Sequence, residues 1–131
     1  MLQPLHYRRI WFALGVVMLL GITIGSLIPV SRFDIHAGDK LVHVLMYLLL
    51  MTWFAQVMES RLHSRVAILF ITLGFLLEIA QHATGYRRFE WGDVLANLTG
   101  VLLGWVLVHS IVGRSIAWID NRLAQSAHQS S

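Results

Sequence analysis

The chain has 131 residues, of which 56% are hydrophobic and 13% charged. A soluble domain of this size carries roughly 25% charged residues, so the composition indicates a small membrane protein without room for a separate soluble domain. The net charge of +3 comes from basic residues scattered over short loops, which fits membrane topology and anionic lipid better than nucleic acid, and the absence of cysteine excludes disulfides, thiol catalysis and thiolate metal sites.

A short polar lead ends in Arg8 and Arg9. Ile10 to Val30 then runs without a charged residue, long enough at 1.5 Å per residue to cross roughly 30 Å of hydrocarbon. The run is too long for a signal peptide and lacks a small-x-small cleavage site, so it reads as an uncleaved first span ended by Pro29. Gly15, Gly21 and Gly25 would let a neighbouring helix approach closely. A charged loop follows, with Arg32, Asp34, His36, Asp39 and Lys40. The second span, residues 41–57, carries His43, Tyr47, Thr52 and Gln56. A polar turn from Met58 to Arg65 leads to the third span, 66–82, interrupted near its end by Glu78 and Gln81. A polar loop from Ala83 to Asp93 precedes the fourth span, 94–112, which contains Asn97, His109 and the pair Gly100 and Gly104.

Beyond Gly113 the pattern turns amphipathic. Ile116, Ile119 and Leu123 fall at helical spacing beside Trp118, among Arg114, Asp120, Asn121 and Arg122. This predicts a short helix at the membrane interface within 113–131, with Ser126 to Ser131 as a disordered tail. Trp53, Trp91, Trp105 and Trp118 read as interfacial belt residues. His63 and His109 stand alone in the sequence and receive no role. The expected fold is therefore an all-α membrane protein, a bundle of four transmembrane helices with a short C-terminal interfacial helix, forming one domain over residues 1–131.

Four spans place both termini on one side. Arg8, Arg9, Arg61, Arg65, Arg114 and Arg122 lie there, against Arg32, Lys40, Arg87 and Arg88 on the other, where Asp34, Asp39, Glu90 and Asp93 dilute them. Six against four favours cytoplasmic termini and an outward-facing polar loop region.

The ionisable residues cluster on that outer side. Asp39, His43 and Tyr47 are spaced by four, as are Glu78 and His82, and Asp93, Asn97, Gly100 and Gly104 follow one stripe. His43 and Glu78 each lie about one turn inside their helices, on the order of 5–8 Å deep, so three helices can share one site. Structural readings compete residue by residue: Asp93 suits an N-cap of the fourth helix, Asn97 interhelical glue, and Tyr47 an interfacial aromatic. Taken together, Lys40, His43, Tyr47, Glu78, Gln81, Arg87, Asp93 and Asn97 at matched depth exceed what helix register needs, because charges inside a membrane are costly.

The same residues carry a family resemblance. Asp39-Lys40-x-x-His43-x-x-x-Tyr47-x-x-Leu50 resembles the first motif of the VanZ-like family. Glu78-x-x-Gln81, then Arg87, Asp93, Asn97, Gly100 and Gly104, resembles its second. The resemblance implies a small polytopic bacterial membrane protein of the cell envelope. The family's namesake is linked to resistance to teicoplanin, a lipid-tailed glycopeptide; the family implies no settled reaction.

Three uses of the cluster follow. In the first, Lys40 and Arg87 hold the anionic head of an envelope amphiphile such as a membrane lipid, a lipid-linked intermediate or a lipoglycopeptide, His43 and Glu78 transfer protons, and Asp39, Tyr47, Gln81, Asp93 and Asn97 bind or orient. In the second, His43, Glu78, His82 and Asp93 ligate a metal, although no contiguous ligand motif supports it and no cofactor is assigned. In the third, the cluster is a structural or sequestering core without chemistry.

Overall fold

A computed structural model of the chain describes residues 2–28, 36–85 and 88–129. Among these residues five α-helices follow one another: α1 Arg8–Leu27, α2 His36–Val57, α3 His63–Ala83, α4 Trp91–Val108 and α5 Ser115–Gln129. Short 3-10 turns, Ser60–Leu62 and Ile111–Arg114, precede α3 and α5. The first four helices are long and apolar enough to cross a bilayer. Their 18 to 22 residues correspond to about 27–33 Å. The protein is thus a multi-pass membrane protein with four candidate spans and a shorter C-terminal helix. Large apolar side chains such as Val17, Ile24, Ile68, Leu76, Leu102 and Val106 point outward, as a lipid-facing surface requires.

The helix ends differ from the hydropathy boundaries for local reasons. α1 closes at Leu27, and Ile28 is extended with φ −79° and ψ 129°, the conformation that a residue preceding proline prefers. α2 begins at His36, so Asp39 and Lys40 belong to its first turns and not to the loop. α4 starts at Trp91 with Glu90 as its N-cap and stops at Val108, where the His109 and Ser110 amides bond back to Val106 and Leu107. α5 continues to Gln129, so Ser126 to Gln129 are helical and not a disordered tail.

Lipid tails are as apolar as the helices, so van der Waals fit and polar contacts hold spans together. The closest fit joins α2 to α4. A Cβ at Gly104 would lie 2.7 Å from the Leu48 carbonyl oxygen, and one at Gly100 would collide with the Val44 carbonyl oxygen. Only glycine lets the two backbones approach this far. Leu50, Met51, Phe54, Phe70 and Val101 fill the centre, with Phe54 set edge-on to Phe70 at 5.4 Å between ring centroids.

α1 is peripheral. Gly15 is its one buried residue, covered by Trp53 and Phe54, whereas nothing approaches Gly21 or Gly25. Those two glycines do not mediate helix contact in the described chain, contrary to the expectation from sequence. Trp53 is likewise no free belt residue: its indole donates to the Trp11 carbonyl at 3.1 Å and its ring packs on that of Trp11. Trp91 and Trp118 are exposed. His63 and His109 are not solitary either, since their rings meet edge to face at 6.3 Å.

One tether was illegible in the sequence. Asp120 of α5 is fully buried and accepts four hydrogen bonds: from the His6 and Tyr7 amides at 2.6 and 2.9 Å, the Trp11 indole at 2.8 Å and the His6 imidazole at 3.0 Å. Burial pushes its carboxyl up, but the Tyr7, Trp11 and His6 donors outweigh that and hold it below the usual carboxylate range. At the same end Gln56 accepts from the Ser115 hydroxyl and the Ile116 amide. The amino-terminal end of α1, the carboxy-terminal end of α2 and the start of α5 are thereby locked together.

Candidate functional site

The opposite end of the bundle gathers the start of α2, the end of α3 and the start of α4. Helical spacing puts Asp39, Lys40 and His43 on the first two turns of α2, and the glycine-mediated contact brings α4 close enough for side chains to pair across it. His43 Nδ1 donates to Asn97 Oδ1 at 3.0 Å. Its Nε2 turns toward Asp39 Oδ1, 3.8 Å away. Because Nδ1 is committed to Asn97, Nε2 is the atom left to exchange a proton. His43 is mostly buried, with 12% of its side chain exposed, so the ring is fixed but reachable from one side.

Lys40 extends over Gly92, where a Cβ would come within 2.6 Å of its Cε. Its ammonium donates to Glu90 Oε2 at 2.8 Å and Asp93 Oδ1 at 3.4 Å. Asp93 is buried and sits within the first turn of α4, its amide bonded to the Glu90 carbonyl. Glu90, not Asp93, is therefore the N-cap residue. The position of Asp93 in that first turn still opposes the helix dipole favourably.

Asn97 and Tyr47 are both buried beside Gly74 of α3. A Cβ there would lie 3.0 Å from Asn97 Nδ2 and 3.1 Å from the Tyr47 hydroxyl. Gly74 gives these two side chains their room, a role that a lone glycine inside an apolar helix signals only weakly.

Glu78 is buried at the end of α3. Its Oε1 accepts the Glu90 amide at 3.0 Å, while Oε2 is enclosed and has no hydrogen-bond partner among the described residues. It therefore anchors the start of α4, and through Glu90 the partner of Lys40. Gln81, one turn on, reaches away from the cluster and donates to the Ser26 carbonyl of α1 at 2.7 Å. His82 is exposed. Arg87 lies outside the described residues.

Asp39, Lys40, His43, Asp93 and Asn97 thus form one connected group. Tyr47 adjoins it through Gly74, Glu78 supports it through the α4 backbone, and Gln81 serves a different contact. Gly74 and Ser26 were not singled out by sequence reasoning, and Glu90 was read there only as an acidic residue of the outer loop. Their signal is geometric, since a backbone amide or carbonyl as partner leaves no trace in residue spacing.

The donor set expected for a metal is not the one brought together. Among the described residues, Asp39, His43 and Asp93 present ligand atoms within 4.8 Å of one another, whereas Glu78 and His82 are not part of that group. Two carboxylates and an imidazole suit a divalent cation. The Lys40 ammonium beside Asp93 supplies positive charge at the same place.

Compared with known proteins, the sequence profile of the VanZ/LLP1 family matches residues 2–113. No curated protein and no solved structure gives a significant match.

Proposed function

The chain belongs to the VanZ/LLP1 family, and from that premise we propose that the α2–α4 polar group binds the anionic head of an envelope amphiphile and acts on it through His43. The observation that carries this reading is the pairing of His43 and Lys40 on α2 with Asn97 and Asp93 on α4. It gathers a proton-exchanging nitrogen and an ammonium at one end of a pair of candidate spans. Lys40 is half exposed, so its ammonium is free to turn from Glu90 to a phosphate or carboxylate at the membrane surface.

In the hydrolytic form, water adds to the phosphorus of a lipid phosphoester while His43 Nε2 takes its proton. The ester P–O bond breaks and the leaving oxygen is protonated from His43 or bulk water. Asn97 holds the imidazole and Asp39 faces its reacting nitrogen. Glu78, expected as a second proton-transfer group, is assigned here to positioning, because its contact is the α4 backbone. Arg87 remains the proposed second cation for the head group. The excess of basic residues on the side of the termini supports an outward-facing site in the inner membrane of a bacterium, where a lipid-tailed glycopeptide would also present itself.

A second reading has its own support. Lys40 is already matched by Glu90 and Asp93, as in a cluster that binds or sequesters without turnover. The two are separated by reconstituting the full chain with a polyprenyl phosphate and measuring both its retention and phosphate release. Phosphate release abolished by His43→Gln with retention intact supports the catalytic form. Retention that depends on Lys40 in a protein with no release supports sequestration. Retention unaffected by Lys40→Ala sinks both.

A further inference from the structure

At the end of the bundle away from the polar group, a cavity of about 350 Å³ opens between α1, the close of α2 and the first turns of α3. Phe12, Val16 and Leu19 of α1 and Val66 and Leu69 of α3 are among its walls, and Arg65, the one charged residue lining it among the described residues, contributes its aliphatic stem. From Phe12 to Leu19 the groove follows α1 for on the order of 10 Å. In a bilayer, such a space is filled by hydrocarbon and not by water.

Arg65 decides which hydrocarbon. It is exposed, and among the described residues no carboxylate pairs with it; the nearby Glu59 is engaged by Arg61 at 2.5 Å. An exposed arginine whose stem lines an apolar groove, and which pairs with no carboxylate among the described residues, matches a phosphate joined to an acyl chain. The height is also right. The same end carries α5, whose exposed Trp118, Ile119 and Leu123 stand beside Arg114 and Arg122, the make-up of a helix lying among head groups.

We propose that this groove holds one acyl chain of an anionic diacyl phospholipid, with the lipid phosphate on Arg65. The lipid completes the sparse packing of α1 against α3. The site is separate from the polar group and independent of what that group does.

The test uses the full chain in nanodiscs containing equal amounts of phosphatidylglycerol and phosphatidylcholine, released for native mass spectrometry, with helicity checked by circular dichroism. The wild-type protein retains one phosphatidylglycerol in preference to phosphatidylcholine. Arg65→Gln lowers that preference roughly fivefold, the influence of about one cation near an anionic surface. Leu69→Trp fills the groove and reduces retention of both lipids. Arg61→Gln, on the same side but outside the groove, leaves retention unchanged. The proposal is overturned if Arg65→Gln retains phosphatidylglycerol as the wild type does, or if Arg61→Gln loses it equally. Dimers in place of bound lipid, dispersed by Leu69→Trp, would also overturn it by assigning the groove to a second copy. Should Leu69→Trp fail to fold, Arg65→Gln against Arg61→Gln decides alone.

Discussion

Replacing Gly100 by alanine probes whether the α2–α4 contact holds the site together. The added methyl would lie 2.9 Å from Tyr47 Cβ and 3.0 Å from the Leu48 nitrogen, and would overlap the Val44 carbonyl oxygen. Carbon contacts relax at about 3.5–4.0 Å, so the helices must part by roughly 0.5–1 Å. Two of the three obstructing atoms are backbone, which cannot rotate away. Overpacking of this kind costs about 1–3 kcal/mol, or about 5- to 150-fold in the folding equilibrium. The same displacement stretches the His43–Asn97 bond, now 3.0 Å, beyond hydrogen-bonding range. The assay is reversible unfolding in mixed micelles, followed by circular dichroism, with Gly21→Ala as control. Nothing lies within 4 Å of a Cβ at Gly21, so that variant should be neutral or gain up to about 1 kcal/mol from helix propensity. If Gly100→Ala is tolerated as well as Gly21→Ala, glycine is not what sets the helix spacing.

Lys40→Met leaves the buried Asp93 without its ammonium and should lower stability; adding Asp93→Asn should restore most of that loss, and a double-mutant cycle in the same unfolding assay measures the coupling. Asp120→Ala should release α5 from α1, seen as faster proteolysis and hydrogen exchange in α5 and a loss of about 1.5–3 kcal/mol. Because the Asp120 carboxyl is held below its ordinary value of 3.8, its contribution is complete above that value and fades as pH falls through the lowered one. Acid titration of the wild type should therefore loosen α5, and Asp120→Asn should remove that pH dependence. Gln81→Leu removes the bond to the Ser26 carbonyl and should cost about 1 kcal/mol while leaving retention of lipid at the polar group unchanged.

The four spans were legible because hydrocarbon demands long uncharged runs, and Ile10 to Val30 is too long for the competing reading as a signal peptide. The stripes Asp39–His43–Tyr47 and Asp93–Asn97–Gly100–Gly104 were legible for a similar reason: a spacing of four fixes a helix face, and two such faces with glycines on one of them predict close approach. The partners were not legible. Glu78 and Gln81 share a stretch of α3, yet one bonds the Glu90 amide and the other the Ser26 carbonyl. Nothing in their spacing distinguishes those outcomes. Asp120 read as one polar residue of an amphipathic helix, because its partners lie 109 to 114 residues earlier in the chain. The helix ends were misjudged at α4, where hydropathy continues to Val112 but backbone bonding at His109 and Ser110 has already left the α-helical pattern.

The pairing of α2 with α4 also has a consequence for biosynthesis. The two are neighbours in space but are separated along the chain by the whole of α3. A chain delivered to the bilayer from its amino terminus therefore installs Asp39, Lys40 and His43 before Glu90, Asp93 and Asn97 have been translated. During that interval Lys40 sits at the edge of the hydrocarbon without the carboxylates that later accept its protons, and the groove over Val44 and Leu48 stands open. A nascent chain arrested after Ala83 would carry three spans and half of a polar site. Completion of α4 is thus both the last act of insertion and the moment at which the site comes into being.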